Sequence, residues 1–453
     1  MSIPSMSNTS PPSLFHARAS RAQPLSGTFS APGDKSVSHR ALILGALASG
    51  QTRITGLLQS ADVMATAGAM QALGAGIDCH EDNDDIWAVN GGTARWTAPG
   101  EALDFGNSGT GARLSMGAVA GTGVTARFTG DESLSSRPMK RILDPLAAMG
   151  ANADSRDGRL PVTLKGGRLG AIDYTPPVAS AQVKSAILLA GLGAAGETIV
   201  RESRLTRDHT EKMLRLFGAE IDVELQPGGG AVIRLPGPQT LTAADIAVPG
   251  DPSSAAFATV AALIRPGSAI TIRNVMTNPA RTGLYRVLER MGARVELIET
   301  GSASGETIAR LAVTASDLRA VDLEPDIAPD LIDEYPVLAV ACAFADGVSR
   351  LRGLAELRAK ESDRLAATCG LLQANGVETA IEGDDLIIKG AAGVRGGGQI
   401  NTHGDHRIAM AALVLGTAAD RPVTVDQADM IATSYPAFIG DMKRLGAMIE
   451  ALS

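Results

Sequence analysis

One pattern recurs six times along the chain: an Ala- and Leu-rich helical segment, a turn, and a short extended run. KSVSHRALILGALASGQTRITGLL begins at Lys35, and similar segments begin at Gly109 (GTGARLSMGAVAGTGVTARFTG) and Ser180 (SAQVKSAILLAGLGAAGETIVRES). Three more begin at Asp251 (DPSSAAFATVAALIRPGSAITIRNV), Ile332 (IDEYPVLAVACAFADGVSRLRGL) and Asp405 (DHRIAMAALVLGTAADRPVTVDQA). Each leads into a second, more amphipathic helix that ends near Gly. In RDHTEKMLRLFGAEI, Met213, Leu214, Phe217 and Ile221 recur at helical spacing, and Gly218 suits the left-handed residue that ends a helix. Short extended runs such as SGTFSAPG, DIAVPG and GQINTHG precede the first helices. Successive units start roughly 70–80 residues apart, the size of whole supersecondary units rather than solenoid turns.

The repeat predicts strand–helix–strand–helix–strand units, often closed by a hairpin such as VETAIEGDDLIIKG. Three units fill each half of the 453 residues, and the sixth lacks its closing hairpin. A cleft between two such halves is the default place for a ligand. PGDKS near Lys35 and PGDPS near Asp251 resemble each other and mark hinge candidates. The expected division is a disordered Ser/Pro-rich tail over 1–23, one domain of 34–250, and a second of 24–33 plus 251–453.

Aromatics are only 3% of the chain, so Ala, Leu, Val and Ile must fill the cores. The formal charge of −8 argues against a general nucleic-acid binder but allows a local basic cleft. No apolar run approaches the ~18 residues of a membrane span, and the N-terminus lacks the apolar core of a secretory signal. Cys79, Cys342 and Cys369 are too scattered for a disulfide framework or a thiolate zinc site. A cytoplasmic protein is expected.

Against this acidic background, cations collect at expected helix starts. PGDKSVSHR places Lys35, Ser36 and Arg40 around a helix N-terminus, where free N–H groups and the dipole favour an anion. GNSGTGARL opens a helix with little bulk at Gly109, where backbone can approach a ligand. Arg137 precedes Pro138, which suits a first helical turn. Ser180, Ala181 and Gln182 form another small-polar helix start, with Arg207 ahead of a nearby helix. Asp333 precedes a strongly apolar helix, as a cap or an acid–base group. KESDR offers Lys360, Glu361 and Arg364 on one expected helix face, an anion clamp beside a carboxylate. Arg407 follows His403, Asp405 and His406, whose spacing fits no metal-ligand pattern. Singly, each segment also suits a capped helix with solvated charges. Together they suit a ligand with several anionic groups. Gly191, Gly193 and Gly196 match G-x-G-x-x-G but follow a helix and precede a strand, the reverse of a dinucleotide site.

PGDKSVSHRA, GNSGTGAR, RPM, SAQVKSA, RDHTEKM, KESDR and GDHRIAM, in this order, resemble the 5-enolpyruvylshikimate-3-phosphate synthase family. RDHTEKM and IDEYP look like the bacterial variant associated with glyphosate tolerance. The resemblance implies a two-domain inside-out α/β barrel of six βαβαββ repeats, the enolpyruvyl transferase fold, closing on its substrates. It implies that an N-terminal strand joins the C-terminal half. It also implies transfer of the enolpyruvyl group of phosphoenolpyruvate to the 5-hydroxyl of shikimate 3-phosphate. No metal or organic cofactor is required, a monomer is expected, and glyphosate would inhibit.

By resemblance, Lys35, Ser36, Arg40, Ser180, Ala181, Gln182, Arg207, Asp333 and Lys360 bind shikimate 3-phosphate. Lys35, Gly109, Arg137, Gln182, Arg364 and Arg407 bind phosphoenolpyruvate, and Asp333, Glu361 and Lys35 carry the chemistry. Two positions depart from the pattern. Other members carry a lysine shortly before a C-terminal aromatic-Pro pair, where this chain reads ATSYP. The tolerant variant has Ala at the position of Gly109. The alternatives are a UDP-N-acetylglucosamine enolpyruvyl transferase, whose loop cysteine has no evident counterpart here, and a non-catalytic anion-binding repeat protein.

Overall fold

The computed structural model describes residues 15–79 and 86–452. The chain divides into two units. The first comprises Gly33–Pro249 with Ala303–Glu306; among described residues, the second comprises the segment up to Pro32, Gly250–Ser302 and Thr307 onward. The unit boundaries at Pro32/Gly33 and Pro249/Gly250 fall in the two PG-containing motifs.

Among the described residues each unit holds three sheets. The fifth repeat shows the plan in one unbroken stretch: strand Asp322–Leu323, helix Tyr335–Ala343, strand Val348–Leu351, helix Arg364–Ala374, and hairpin Glu378–Glu382/Asp385–Lys389. The first strand pairs parallel with Val348–Leu351, and the remaining pairings are antiparallel. The second repeat follows the same plan, with Leu103–Asp104, Thr125–Thr129, Arg159–Lys165 and Asn152–Arg156 as its sheet.

Three repeats borrow a strand. The extended run before the Lys35–Leu47 helix, Ser26–Ser30, pairs with Ala269–Met276 in the fourth sheet rather than within the first. The run before the Pro252–Ile264 helix, Ile246–Ala247, pairs with Gly50–Thr55 in the first sheet. The two runs are thus exchanged relative to the simple repeat. At both crossings only glycine fits: a Cβ on Gly33 would lie 2.1 Å from the Gly56 carbonyl, and one on Gly250 would lie 2.3 Å from that of Asn274.

The third borrowing corrects the expected tail. His16–Ser20 is a strand between Val423–Val425 and Met448–Leu452, antiparallel to both, and it fills the position that the sixth repeat lacks. Ala17 and Ala19 are fully buried on its inner face. The rest of the expected disordered tail, 1–14, lies outside the described residues.

The first helix of each repeat is buried nearly all round, and the Lys35–Leu47, Gly109–Ala120 and Ala181–Gly191 helices pack in series inside the first unit. Small residues let their backbones approach. Gly117 lies so close to the next helix that an added Cβ would sit 2.3 Å from the Ala186 carbonyl oxygen. In the second unit the Pro252–Ile264, Tyr335–Ala343 and His406–Gly416 helices pack against one another. The helices of the second kind lie outside these and bury one face, as their amphipathic spacing predicts. The candidate residues sit at or near the N-termini of these buried helices, all of which carry a side-chain cap except Tyr335–Ala343. Among the described residues no helix is long and apolar enough to cross a membrane.

Candidate active site

In the first unit, Asp34 caps the Lys35–Leu47 helix by accepting from the Val37 N–H at 2.8 Å. That places Lys35 and Ser36 in the first turn. Lys35 is paired with Asp62, which projects from the first turn of the Ala61–Ala72 helix. Arg40 is 3% exposed, so it is a buried cation rather than a solvated one. Its Nε donates to Thr210 Oγ1 at 2.7 Å, Nη2 to Ser185 Oγ at 2.8 Å, and Nη1 to the Ser36 carbonyl at 2.9 Å. His39, between these cations, is buried and bonded through Nδ1 to Thr66 Oγ1 at 2.8 Å. Burial, then the charges of Lys35 and Arg40, hold its pKa well below the usual histidine value, so the imidazole is neutral.

Gly109 opens the Gly109–Ala120 helix, which Ser108 caps through the Gly111 N–H at 3.2 Å. Two guanidinium groups close on it: a Cβ there would lie 2.8 Å from Arg113 Nη1 and 3.3 Å from Arg137 Nη1. Arg137 ends the short Glu132–Ser136 helix rather than starting the next one, which begins at Lys140. Its Nη2 donates to Asn107 Oδ1 at 2.8 Å and Ser133 Oγ at 3.0 Å. Arg113, which sequence reasoning did not single out, donates to Gln182 Oε1 at 3.0 Å, and Gln182 Nε2 donates to Thr110 Oγ1 at 2.9 Å. Ser180 caps the Ala181–Gly191 helix through a long 3.5 Å contact with the Val183 N–H. Arg207 is half-buried in the loop after strand Ala194–Glu202, two residues before the His209–Leu216 helix.

In the second unit, charged groups gather around Arg364, which is 1% exposed. Its Nε and Nη2 donate to Asp405 Oδ2 at 2.8 Å and Oδ1 at 3.3 Å. Its Nη2 also meets Glu361 Oε2 at 2.5 Å, and Nη1 meets Asp333 Oδ1 at 3.4 Å. Lys360 Nζ lies 3.4 Å from the same Asp333 oxygen. Arg407 Nη1 donates to the Asp333 carbonyl at 2.9 Å and lies 3.9 Å from Glu334 Oε1. Burial would lower the pKa of Arg364, but Asp405, Glu361 and Asp333 together raise it, so the guanidinium stays charged. Burial would raise the pKa of Asp405, but Arg364 outweighs it and holds the carboxyl below its ordinary value.

Two sequence expectations change here. Lys360 and Glu361 do not lie on one helix face with Arg364. The helix starts at Arg364, because Asp363 caps it through the Ala366 N–H at 3.0 Å, and the two preceding residues are in the loop. Asp333 is not a helix cap either. The Tyr335–Ala343 helix has no side-chain cap, and Asp333 is turned toward Lys360 and Arg364. Asp62, Arg113 and Asp405 were missed as partners. Capping positions and a cation one turn into a helix were the only local signals for them. In the ATSYP stretch, Thr433 is bonded to His406 Nδ1 at 3.3 Å, and no cation occupies the stretch.

Cys342 and Cys369 are unsuited to attack. Cys342 is buried in a helix, and burial pushes its pKa up to about 12, slightly offset by Ser349. Cys369 is also buried and shifted up by burial. Asp208, His209 and Glu306 bring potential ligand atoms within 4.8 Å of one another. Lys212 already answers that charge, with Nζ 2.7 Å from Glu306 Oε2 and 3.2 Å from Asp208 Oδ1. An ammonium on two of three donors does not fit a metal site.

Residues 20–442 match the family model of EPSP synthase (3-phosphoshikimate 1-carboxyvinyltransferase). A 3-phosphoshikimate 1-carboxyvinyltransferase of Afipia carboxidovorans is 56% identical over 445 residues, covering 98% of this chain and 99% of its own. One from a Methylobacterium species is 56% identical over 449 residues, with the same coverage. Among solved structures, an EPSP synthase from Acinetobacter baumannii superposes with a TM-score of 0.84 at 40% identity, covering 97% of this chain and all of the other. The enolpyruvyl transferase NikO from Streptomyces tendae shares the fold at 20% identity, with a TM-score of 0.74 over 97% of this chain and 99% of its own. The protein is therefore a member of the EPSP synthase family, the carboxyvinyl transferases that act on 3-phosphoshikimate.

Proposed function

We propose that the protein transfers the enolpyruvyl group of phosphoenolpyruvate to the 5-hydroxyl of shikimate 3-phosphate, with Asp333 and Glu361 as its acid–base pair. The observation that supports this assignment is the placement of both carboxylates against one buried guanidinium, that of Arg364, in the second unit. A fixed cation between two carboxylates keeps both in reach of proton transfer and gives developing negative charge a partner.

In this reading Glu361, assisted by Lys35, protonates the methylene carbon of phosphoenolpyruvate. Asp333 accepts the proton of the 5-hydroxyl as that oxygen attacks the neighbouring carbon. The tetrahedral adduct loses phosphate, which takes the proton held by Asp333 as it departs. A base, Glu361 in its now ionised form, then removes a proton from the new methyl group and restores the double bond. Every proton and the leaving group is accounted for, so the chemistry needs no cofactor.

Ser180, Ala181 and Arg207 take the substrate phosphate, with Lys35, Ser36 and Arg40 beside them. Gln182, tied to Arg113, lies between the two substrates. Asp333 and Lys360 hold the shikimate hydroxyls. Arg137, Arg364 and Arg407 take phosphoenolpyruvate, with Gly109 against it. A glyphosate-sensitive, monomeric, cytoplasmic enzyme fits this reading. A phosphate-release assay with both substrates tests it. Release that requires shikimate 3-phosphate supports the reading. Release with UDP-N-acetylglucosamine instead, or none from folded protein, overturns it.

A further inference from the structure

A second charged cluster lies beside the phosphate-binding candidates of the first unit. Lys184, on the Ala181–Gly191 helix, is 1% exposed. Its Nζ lies 2.9 Å from Glu202 Oε2 and 2.7 Å from Glu211 Oε1, and both carboxylates are buried. Glu202 ends strand Ala194–Glu202, and Glu211 lies in the helix that starts at His209. One ammonium therefore ties down both ends of the segment that carries Arg207. Glu202 grips that segment a second time, because its Oε1 accepts from the Thr206 hydroxyl, the residue before Arg207. The neighbours of Lys184 and Glu211 extend the tie: Ser185 Oγ and Thr210 Oγ1 are 2.7 Å apart, and Ser185 Oγ donates to the Ala181 carbonyl at 2.6 Å.

We propose that Lys184, Glu202 and Thr206 form a positioning bracket that fixes Arg207 relative to the Ser180–Gln182 helix start, and so sets affinity for the substrate phosphate. This rests on the reading of Arg207 as a phosphate ligand. Charge balance gives the two carboxylates different tasks. One buried ammonium with two ionised carboxylates would leave a net buried negative charge, which is costly. Glu202 uses both oxygens, whereas Glu211 Oε2 is buried without a hydrogen-bond partner. Burial raises the pKa of Glu211, and Glu202 adds to the rise against the pull of Lys184. Of the two, Glu211 is thus the carboxyl that more readily takes up a proton, at its unpartnered Oε2.

The test compares single variants of the full chain. Glu202→Gln raises KM for shikimate 3-phosphate roughly tenfold, the size of one weakened charge-assisted contact, with kcat within about twofold. It also lowers Tm. Glu211→Gln, an isostere of the neutral acid, keeps Tm at or above that of the native protein at pH 8. Thr206→Val, which leaves the ion pairs in place, raises the same KM several-fold should Glu202→Gln fail to fold. Arg207→Ala is the reference. If it raises KM while Glu202→Gln and Thr206→Val do not, the bracket is refuted and the phosphate reading stands. If Arg207→Ala leaves KM unchanged, the phosphate reading falls and takes the bracket's purpose with it. Equal losses of Tm in Glu202→Gln and Glu211→Gln overturn the division of charge.

Discussion

Asp405 grips Arg364 with both carboxylate oxygens, at 2.8 and 3.3 Å, and neither side chain is more than 1% exposed. The same carboxylate caps the next helix through the Arg407 N–H at 2.9 Å. One residue thus orients two of the proposed phosphoenolpyruvate ligands. Asp405→Asn should remove this, costing roughly 3 kcal/mol or more of stability because a buried guanidinium loses its main partner. Activity should fall with it. Denaturant unfolding of native and variant protein checks the first part, and steady-state rates check the second.

The same pair sets an acid limit. The Asp405 pKa is depressed in the folded protein, so its contribution to stability is complete above the ordinary value of 3.8 and is lost as pH falls through the folded value. The stability difference between native protein and Asp405→Asn should be flat from about pH 5 to 8 and shrink below about pH 4. Tm measured across this range checks the sign. A difference that grows toward low pH would contradict it.

Glu361→Ala should reduce turnover by at least about a hundredfold, the usual size of a lost general acid–base group. Binding of shikimate 3-phosphate should survive, because the residues assigned to its phosphate lie in the first unit. Calorimetric titration and single-turnover rates separate the two effects. Turnover within a few-fold of native would remove Glu361 from its role.

Gly109→Ala would bring a methyl group against Arg113 Nη1, at 2.8 Å, and Arg137 Nη1, at 3.3 Å. Both are far ends of flexible side chains, so the protein should fold. The guanidinium groups must move, and Arg113 is the one that holds Gln182. KM for phosphoenolpyruvate should rise, and inhibition by glyphosate should weaken more. Equal inhibition constants for the two proteins would show that this position does not govern glyphosate sensitivity.

Gly117→Ala tests the core rather than the site. Its methyl would meet the backbone of Ala186, carbonyl oxygen at 2.3 Å and Cα at 2.6 Å, which cannot swing aside as a side chain can. The two buried helices must separate, at a cost of about 3 kcal/mol. A Tm within a degree or two of native would contradict this close approach.

The repeat made the six units legible, because a buried Ala- and Leu-rich helix followed by a short strand is a strong local pattern. The borrowed strands were not legible in the residues themselves. His16–Ser20 has two small apolar residues, Ala17 and Ala19, and its partners lie more than 400 positions away. Ile246–Ala247 is two residues long, and its run looked like the start of the next repeat. In the site, the cations stood out because they sit near helix starts. Their anionic partners did not: nothing near Asp62 in sequence points to Lys35, and nothing near Asp405 points to Arg364. KESDR misled because spacing of three and four residues was read as a helix, whereas Asp363 starts the helix only after Lys360 and Glu361 have passed.

The borrowed strands also bear on how the protein is made. His16–Ser20 leaves the ribosome early, yet its neighbours in the sheet are Val423–Val425 and Met448–Leu452. Ser26–Ser30 must likewise wait for Ala269–Met276. The first unit can complete its sheets once Ile246–Ala247 has emerged, while the leading segment stays unmatched for almost the whole of synthesis. Truncation near either end therefore removes the same keystone. A ribosome that stalls late leaves behind one finished half and an open-edged sheet in the other, the kind of intermediate that chaperones recognise.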